Sequence, residues 1–187
     1  MINNDPVRQD PLKQTQAQMR WYGYIALLIF MVILAIPYFT KKIHFGLLDY
    51  VNLPFHEAGH FVFGIFGEFI GALGGTLGQL IFPVGFSIYF LLFRRDYAAG
   101  IFSLFWVSEN LINISIYMAD AQTQSLSLFG GNVHDWAYLC AEMKLITKIP
   151  AIAKFVRFLG SAGMIGSIFA LIYIIITRSP FRFSIKK

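Results

Sequence analysis

Apolar residues run along this chain in long blocks with short polar breaks between them. Residues 21–39 carry no charge. As a helix they measure roughly 28 Å, enough to cross a hydrocarbon core. Trp21, Tyr22 and Tyr38 mark its interfacial ends, and Lys41 and Lys42 stop it. Residues 46–73 form a second block that contains Pro54. A helix starting at Pro54 tolerates it in the first turn and keeps the next residues near a membrane face. A helix starting near Gly46 kinks there and carries them deeper. Gly74-Gly75 predicts a break, and residues 76–93, with Pro83 inside, make a third block ended by Arg94-Arg95-Asp96. Residues 98–118 are a fourth, unusually polar block, and residues 158–177 are the last.

The stretch between the last two blocks is mixed. It has a Gly130-Gly131 turn, then His134-Asp135-Trp136, then Lys144, Lys148, Lys154 and Arg157. It reads as a loop followed by an amphipathic, interfacial helix. The pattern predicts an all-α fold, a polytopic transmembrane helical bundle of about five spans plus that interfacial helix. Residues 1–20 form a polar N-terminal segment, 21–178 a single transmembrane helical domain, and 179–187 a basic tail. There is no internal repeat.

Composition narrows the class. Of 187 residues, 57% are hydrophobic and 13% charged, more apolar surface than a soluble domain of this size hides. The net charge of +5 comes from Lys and Arg in polar segments and at block ends, which suits anionic headgroups. No basic run is interleaved with aromatics, so nucleic acid is not an expected partner; the lipid bilayer is. The single cysteine, Cys140, excludes an intrachain disulfide. About twenty polar residues precede the first block and no small-residue cleavage site follows it, so residues 21–39 read as a retained span. Lys and Arg are spread over alternate loops and set no orientation.

The chemistry concentrates at His56-Glu57-Ala58-Gly59-His60. An H-E-x-x-H on a helix puts two imidazoles one turn apart on one face, in reach of one zinc ion, with a carboxylate beside them to handle a water's proton. With His56 at zero on a wheel, His60 lies at about 40° and Glu57 at about 100°. If the helix continues, Gly64, Gly67 and Gly71 extend the histidine face as a smooth lane. Such a lane serves either close packing with a neighbouring helix or the approach of a substrate backbone. Glu68 falls near the direction of Glu57; it lines a water path or pairs with Gln79 or an arginine.

The fourth block carries a polar stripe, Glu109, Asn113, Tyr117 and Asp120, with Asn110 beside it. Lipid rejects that face, so it points into the bundle. It forms an interhelical hydrogen-bond network, or faces the metal helix to orient the imidazoles or supply a ligand. Two histidines leave a zinc site short of a protein ligand. His44 lies close before the motif. His134, which a glycine turn can return to the bundle, is the first choice, with Asp120 and Asp135 as alternatives.

H-E-A-G-H within a hydrophobic helix resembles the site-2-protease class of intramembrane zinc metalloproteases. The longer string HEAGHFVFGIFGEFIGALGGTLGQLIFP, from His56 to Pro83, is similar to that of a group of small bacterial membrane proteins. The likeness extends to Trp106 and Asn110, to Tyr117-Met118-Ala119-Asp120-Ala121, and to Gly130-Gly131 with His134-Asp135-Trp136, so it covers roughly residues 50–140. It implies a zinc at His56 and His60, Glu57 as general base and a bacterial cytoplasmic membrane. The chain departs from the class in having no Leu-Asp-Gly element to supply the third ligand; its nearest Leu-Asp, Leu48-Asp49, precedes the motif.

These features predict a zinc-dependent metallohydrolase, a peptidase acting on a transmembrane or membrane-proximal peptide. The other reading is a non-enzymatic metal-binding scaffold, or a small transporter that uses the Glu109–Asp120 stripe as an ion path. A structural zinc is closed by four protein ligands, whereas a catalytic one keeps a position open.

Overall fold

The computed structural model describes residues 11–40, 46–126 and 133–181, and they are mostly helical with no strand among them. The order is α1 (Pro11–Thr40), α2 (Leu47–Phe63), α3 (Glu68–Ile88), α4 (Tyr97–Asp120), α5 (Asp135–Glu142) and α6 (Ile149–Thr177). A 3-10 turn (Gly64–Phe66) follows α2, and a π-helical stretch (Tyr89–Arg94) continues α3. Four helices, Pro11–Thr40, Glu68–Arg94, Tyr97–Asp120 and Ile149–Thr177, are long and apolar enough to cross a membrane. Their outer faces carry large exposed apolar side chains such as Ile33, Phe82, Phe158 and Phe169, which water would not tolerate and lipid does.

The α4 helix is the centre of the bundle. Its inner face packs Phe105 and Ile112 against Met31 of α1 and Met164 and Leu171 of α6. Gly160 of α6 lies so close to Ile112 and the Ser108 carbonyl that a Cβ there would meet both at 2.8 Å. A second apolar cluster, Ile114, Met118, Cys140, Ile149 and Ala153, seats α5 beneath the end of α4.

Several sequence expectations change. The break falls at Gly67, whose φ of +101° only glycine adopts without strain, and not at Gly74-Gly75, which lie inside α3. There they remove side chains where α2 folds back antiparallel onto α3. A Cβ on Gly59 would overlap the Gly74 carbonyl, and one on Gly78 would overlap the Phe55 carbonyl. The second and third blocks are therefore folded together as an α2–α3 hairpin, and four of the described helices are long and apolar enough to cross a membrane. At 17 residues α2 is roughly 25 Å long, shorter than the hydrocarbon core.

Pro54 lies inside α2, which starts at Leu47 after Gly46. The interfacial helix does not form as one element. Its start is α5, and its basic end is the first turns of α6, which opens with Pro150 in its first turn. Arg157 of α6 donates to the Tyr38 carbonyl at 3.2 Å. Helix α1 begins at Pro11, so half of the polar N-terminal segment is an exposed extension of the first span. His44 and the Gly130-Gly131 turn lie outside the described residues.

The glycine contact gives a direct test. Gly59→Ala is expected to destabilise the protein by about 1–3 kcal/mol or more, since backbone must move. Gly64→Ala, whose Cβ meets nothing within 4 Å, is expected to cost under about 0.5 kcal/mol. Thermal unfolding in detergent compares them, and equal losses would contradict the packing described.

Candidate metal centre

Helix α2 carries His56 and His60 one turn apart and turns both imidazoles toward α3. Each ring is oriented through Nδ1. His60 Nδ1 donates to the Gly71 carbonyl at 2.8 Å, and His56 Nδ1 lies 3.1 Å from Gln79 Oε1. A carbonyl oxygen only accepts, so Nδ1 of His60 holds the hydrogen and a neutral ring presents a lone pair at Nε2. The Gln79 amide oxygen does the same for His56. The two Nε2 atoms face each other at 3.1 Å. Asp135, the first residue of α5, completes the triangle: its Oδ2 is 3.3 Å from His56 Nε2 and 3.2 Å from His60 Nε2. The three side chains are 14%, 27% and 14% exposed for His56, His60 and Asp135.

Three electron-rich atoms thus converge on one point, which asks for positive charge at the centre. Among the described residues, this is the one group of three or more His, Cys, Asp or Glu side chains close enough to hold a metal ion together. A tetrahedral zinc with bonds of about 2.0–2.2 Å separates its ligand atoms by about 3.3 Å. The observed 3.1, 3.2 and 3.3 Å edges match that spacing. Two imidazoles and one carboxylate form a catalytic type of donor set, which keeps a fourth position for water.

The floor of the site is Gly75 of α3. A Cβ there would lie 2.5 Å from His60 Nε2 and 2.6 Å from His56 Nε2, filling the space in which the lone pairs meet. Burial works to raise the Asp135 carboxyl; with no ion bound and the imidazoles carrying hydrogen at Nε2, their hydrogen bonds outweigh it and hold the group well below the usual carboxylate range. Asp135 is therefore an anion at neutral pH, as a ligand must be. Glu57 is half-buried on the same turn, near enough for its charge to act on His60 and Tyr117.

Of the expected third ligands, the structure brings Asp135 to the pair and not His134 or Asp120. His134 is buried and caps α5: its Nδ1 accepts from the Ala137 N–H at 3.3 Å, and its Nε2 faces Asp120 Oδ2 at 3.4 Å. Asp120 closes the loop after α4, accepting from Thr123 Oγ1 at 2.7 Å, from the Ser125 N–H and Oγ at 2.9 and 2.7 Å, and from the Leu126 N–H at 3.0 Å.

The upper part of the polar stripe, Glu109 and Asn113 with Asn110 beside them, faces α2 and grips it upstream of the histidines. Glu109 accepts from Tyr38 Oη at 2.7 Å and Asn52 Nδ2 at 2.8 Å. Asn113 Nδ2 donates to Asp49 Oδ1 at 2.5 Å, and Asn110 Nδ2 reaches Asn52 Oδ1 at 3.3 Å. None of these three residues bonds to an imidazole. Nor do Gly64, Gly67 and Gly71 form a substrate-facing lane, because the turn at Gly67 takes them off one helix. A Cβ on Gly71 would instead meet the Gly64 Cα at 3.1 Å, so these two pack against each other. Glu68 is exposed in the first turn of α3, a favourable place for an acidic side chain.

Sequence reasoning passed over Gln79 as a partner of His56 and over Gly75 as the floor. A lone amide in an apolar run was the available signal for Gln79. Nothing distinguishes Gly75 from its neighbours until α2 folds back. No family model, curated protein or solved structure matches the chain.

Gly75→Ala is expected to weaken Zn2+ binding by about tenfold or more, since overpacking of 1–3 kcal/mol falls on the ligands themselves. Competition against a chromophoric chelator measures it, and wild-type affinity in the variant would refute the placement of Gly75.

Proposed function

We propose that this protein is an integral-membrane, zinc-dependent metallohydrolase, a site-2-protease-like peptidase of the bacterial cytoplasmic membrane that crosses it several times. The convergence of His56 Nε2, His60 Nε2 and Asp135 Oδ2 within 3.3 Å of one another carries the reading, together with Glu57 on the same helix. The three side chains hold the ion, and Gln79 and the Gly71 carbonyl keep both rings in the tautomer that can bind it. When bound, zinc lowers the pKa of a coordinated water toward neutral and polarises the substrate carbonyl. Glu57 takes the proton from water as oxygen adds to the carbonyl carbon, then delivers it to the amine as the C–N bond breaks. The site sits beside the last turns of α4 and the start of α5, which suits a membrane-proximal peptide or the unwound end of a transmembrane helix.

The purified chain is expected to bind about one Zn2+, with His56→Ala or Asp135→Asn greatly weakening binding. Glu57→Gln is expected to keep the zinc and lose about 10²- to 10⁴-fold in peptide hydrolysis. Metal analysis and peptide cleavage in detergent read the two effects separately. Protein that binds no zinc sinks the metal reading. Zinc binding with a fully active Glu57→Gln sinks the assignment of the base.

A further inference from the structure

Asp135 differs from the other two ligands in how it is carried. The histidines stand on a 17-residue helix locked to α3, whereas Asp135 is the first residue of an eight-residue helix. The apolar cluster around Cys140 seats that helix, and the hydrogen bonds that aim Asp135 itself come from Tyr117 on α4. The Tyr117 hydroxyl donates to Asp135 Oδ2 at 3.2 Å and accepts from the Asp135 backbone N–H at 3.2 Å. One oxygen thereby ties the side chain and the main chain of the same residue, which leaves the carboxylate little rotational freedom. A carboxylate oxygen has two lone pairs. The hydroxyl takes one at Oδ2 and leaves the other directed toward the imidazole nitrogens.

Tyr117 is itself held on both sides. Its ring stacks on His134 at 4.2 Å and 25°, and meets His56 at 6.2 Å and 66°. His134 is buried, caps α5, and faces Asp120, which the residues after α4 bind through four hydrogen bonds. The line Asp120, His134, Tyr117, Asp135 runs from the end of α4 to the metal centre. Its inner members are oriented by stacking and hydrogen bonding, not by charge pairing with the ion.

We propose that Tyr117, backed by His134, is a positioning residue that delivers the Asp135 carboxylate to the metal. This rests on the zinc reading above. It gives a purpose to the two residues of the polar helix and its following loop that do not grip α2, and to the histidine that the centre does not use as a ligand. Partners in this position typically change metal affinity by about tenfold to a hundredfold.

The test uses the full chain in detergent with Co2+ as the probe, comparing wild type with Tyr117→Phe. The variant keeps the stacked ring and removes only the hydroxyl. It is expected to bind Co2+ about tenfold to a hundredfold more weakly and to shift the visible ligand-field bands, with an unchanged unfolding midpoint for the metal-free protein. Unchanged affinity and unchanged bands in Tyr117→Phe overturn the positioning role and leave the metal reading standing. Weaker binding with unchanged bands and a lowered metal-free midpoint assigns Tyr117 to the fold and also overturns it. A wild type that binds no Co2+ removes the metal reading, and the inference falls with it. If Tyr117→Phe does not fold, His134→Asn takes its place; it keeps a capping side chain for α5 and removes the stacked ring, and the same outcomes apply.

Discussion

Two helices touching backbone to backbone organise this protein. Gly59 on α2 meets Gly74 and Gly78 on α3 with no side chain between them, and Gly64 meets Gly71 nearer the turn. In lipid, helix association gains little from burying apolar surface, so close van der Waals approach carries much of it. The close approach also sets the chemistry. It brings the Gly71 carbonyl within reach of one imidazole and Gln79 within reach of the other, and leaves a hollow at Gly75 where both Nε2 atoms meet. An α2 displaced by one side-chain thickness would lose all three relations together.

The second constraint is polar. Asp49, Asn52, Glu109 and Asn110 are almost fully buried, an expensive placement unless hydrogen bonds satisfy them. They join the ends of α1 and α2 to the middle of α4, with Tyr38 and the Trp106 indole completing the set. This network fixes the depth and rotation of α2 below the histidines, while the glycines fix its distance from α3. This short helix is thus registered at both ends.

The motif and the helical blocks were legible in the sequence because they depend on local periodicity. H-E-x-x-H is a statement about one turn of one helix, and apolar length is a statement about lipid thickness. The stripe from Glu109 to Asp120 was legible as a face, since spacing alone puts those residues on one side of α4. Its division was not: Glu109 and Asn113 turn to α2, Tyr117 to Asp135, and Asp120 to its own loop, because each lies at a different height against different neighbours. The glycine lane misled for a related reason. A wheel assumes an unbroken helix, and the left-handed turn at Gly67 breaks it.

By itself, then, the sequence determined that this is a helical membrane protein with a pair of imidazoles and a carboxylate on one turn. Such features follow from side-chain type and from separations of a few residues. The tertiary structure alone decided that Asp135, and not His134, completes the group, although the two are neighbours in the chain. The residue that caps a helix must turn its side chain back onto the first backbone N–H groups, while the next residue is free to point away. Which of the two faced the histidines depended on how α5 was seated against α3 and α4, a long-range packing outcome that no local spacing encodes.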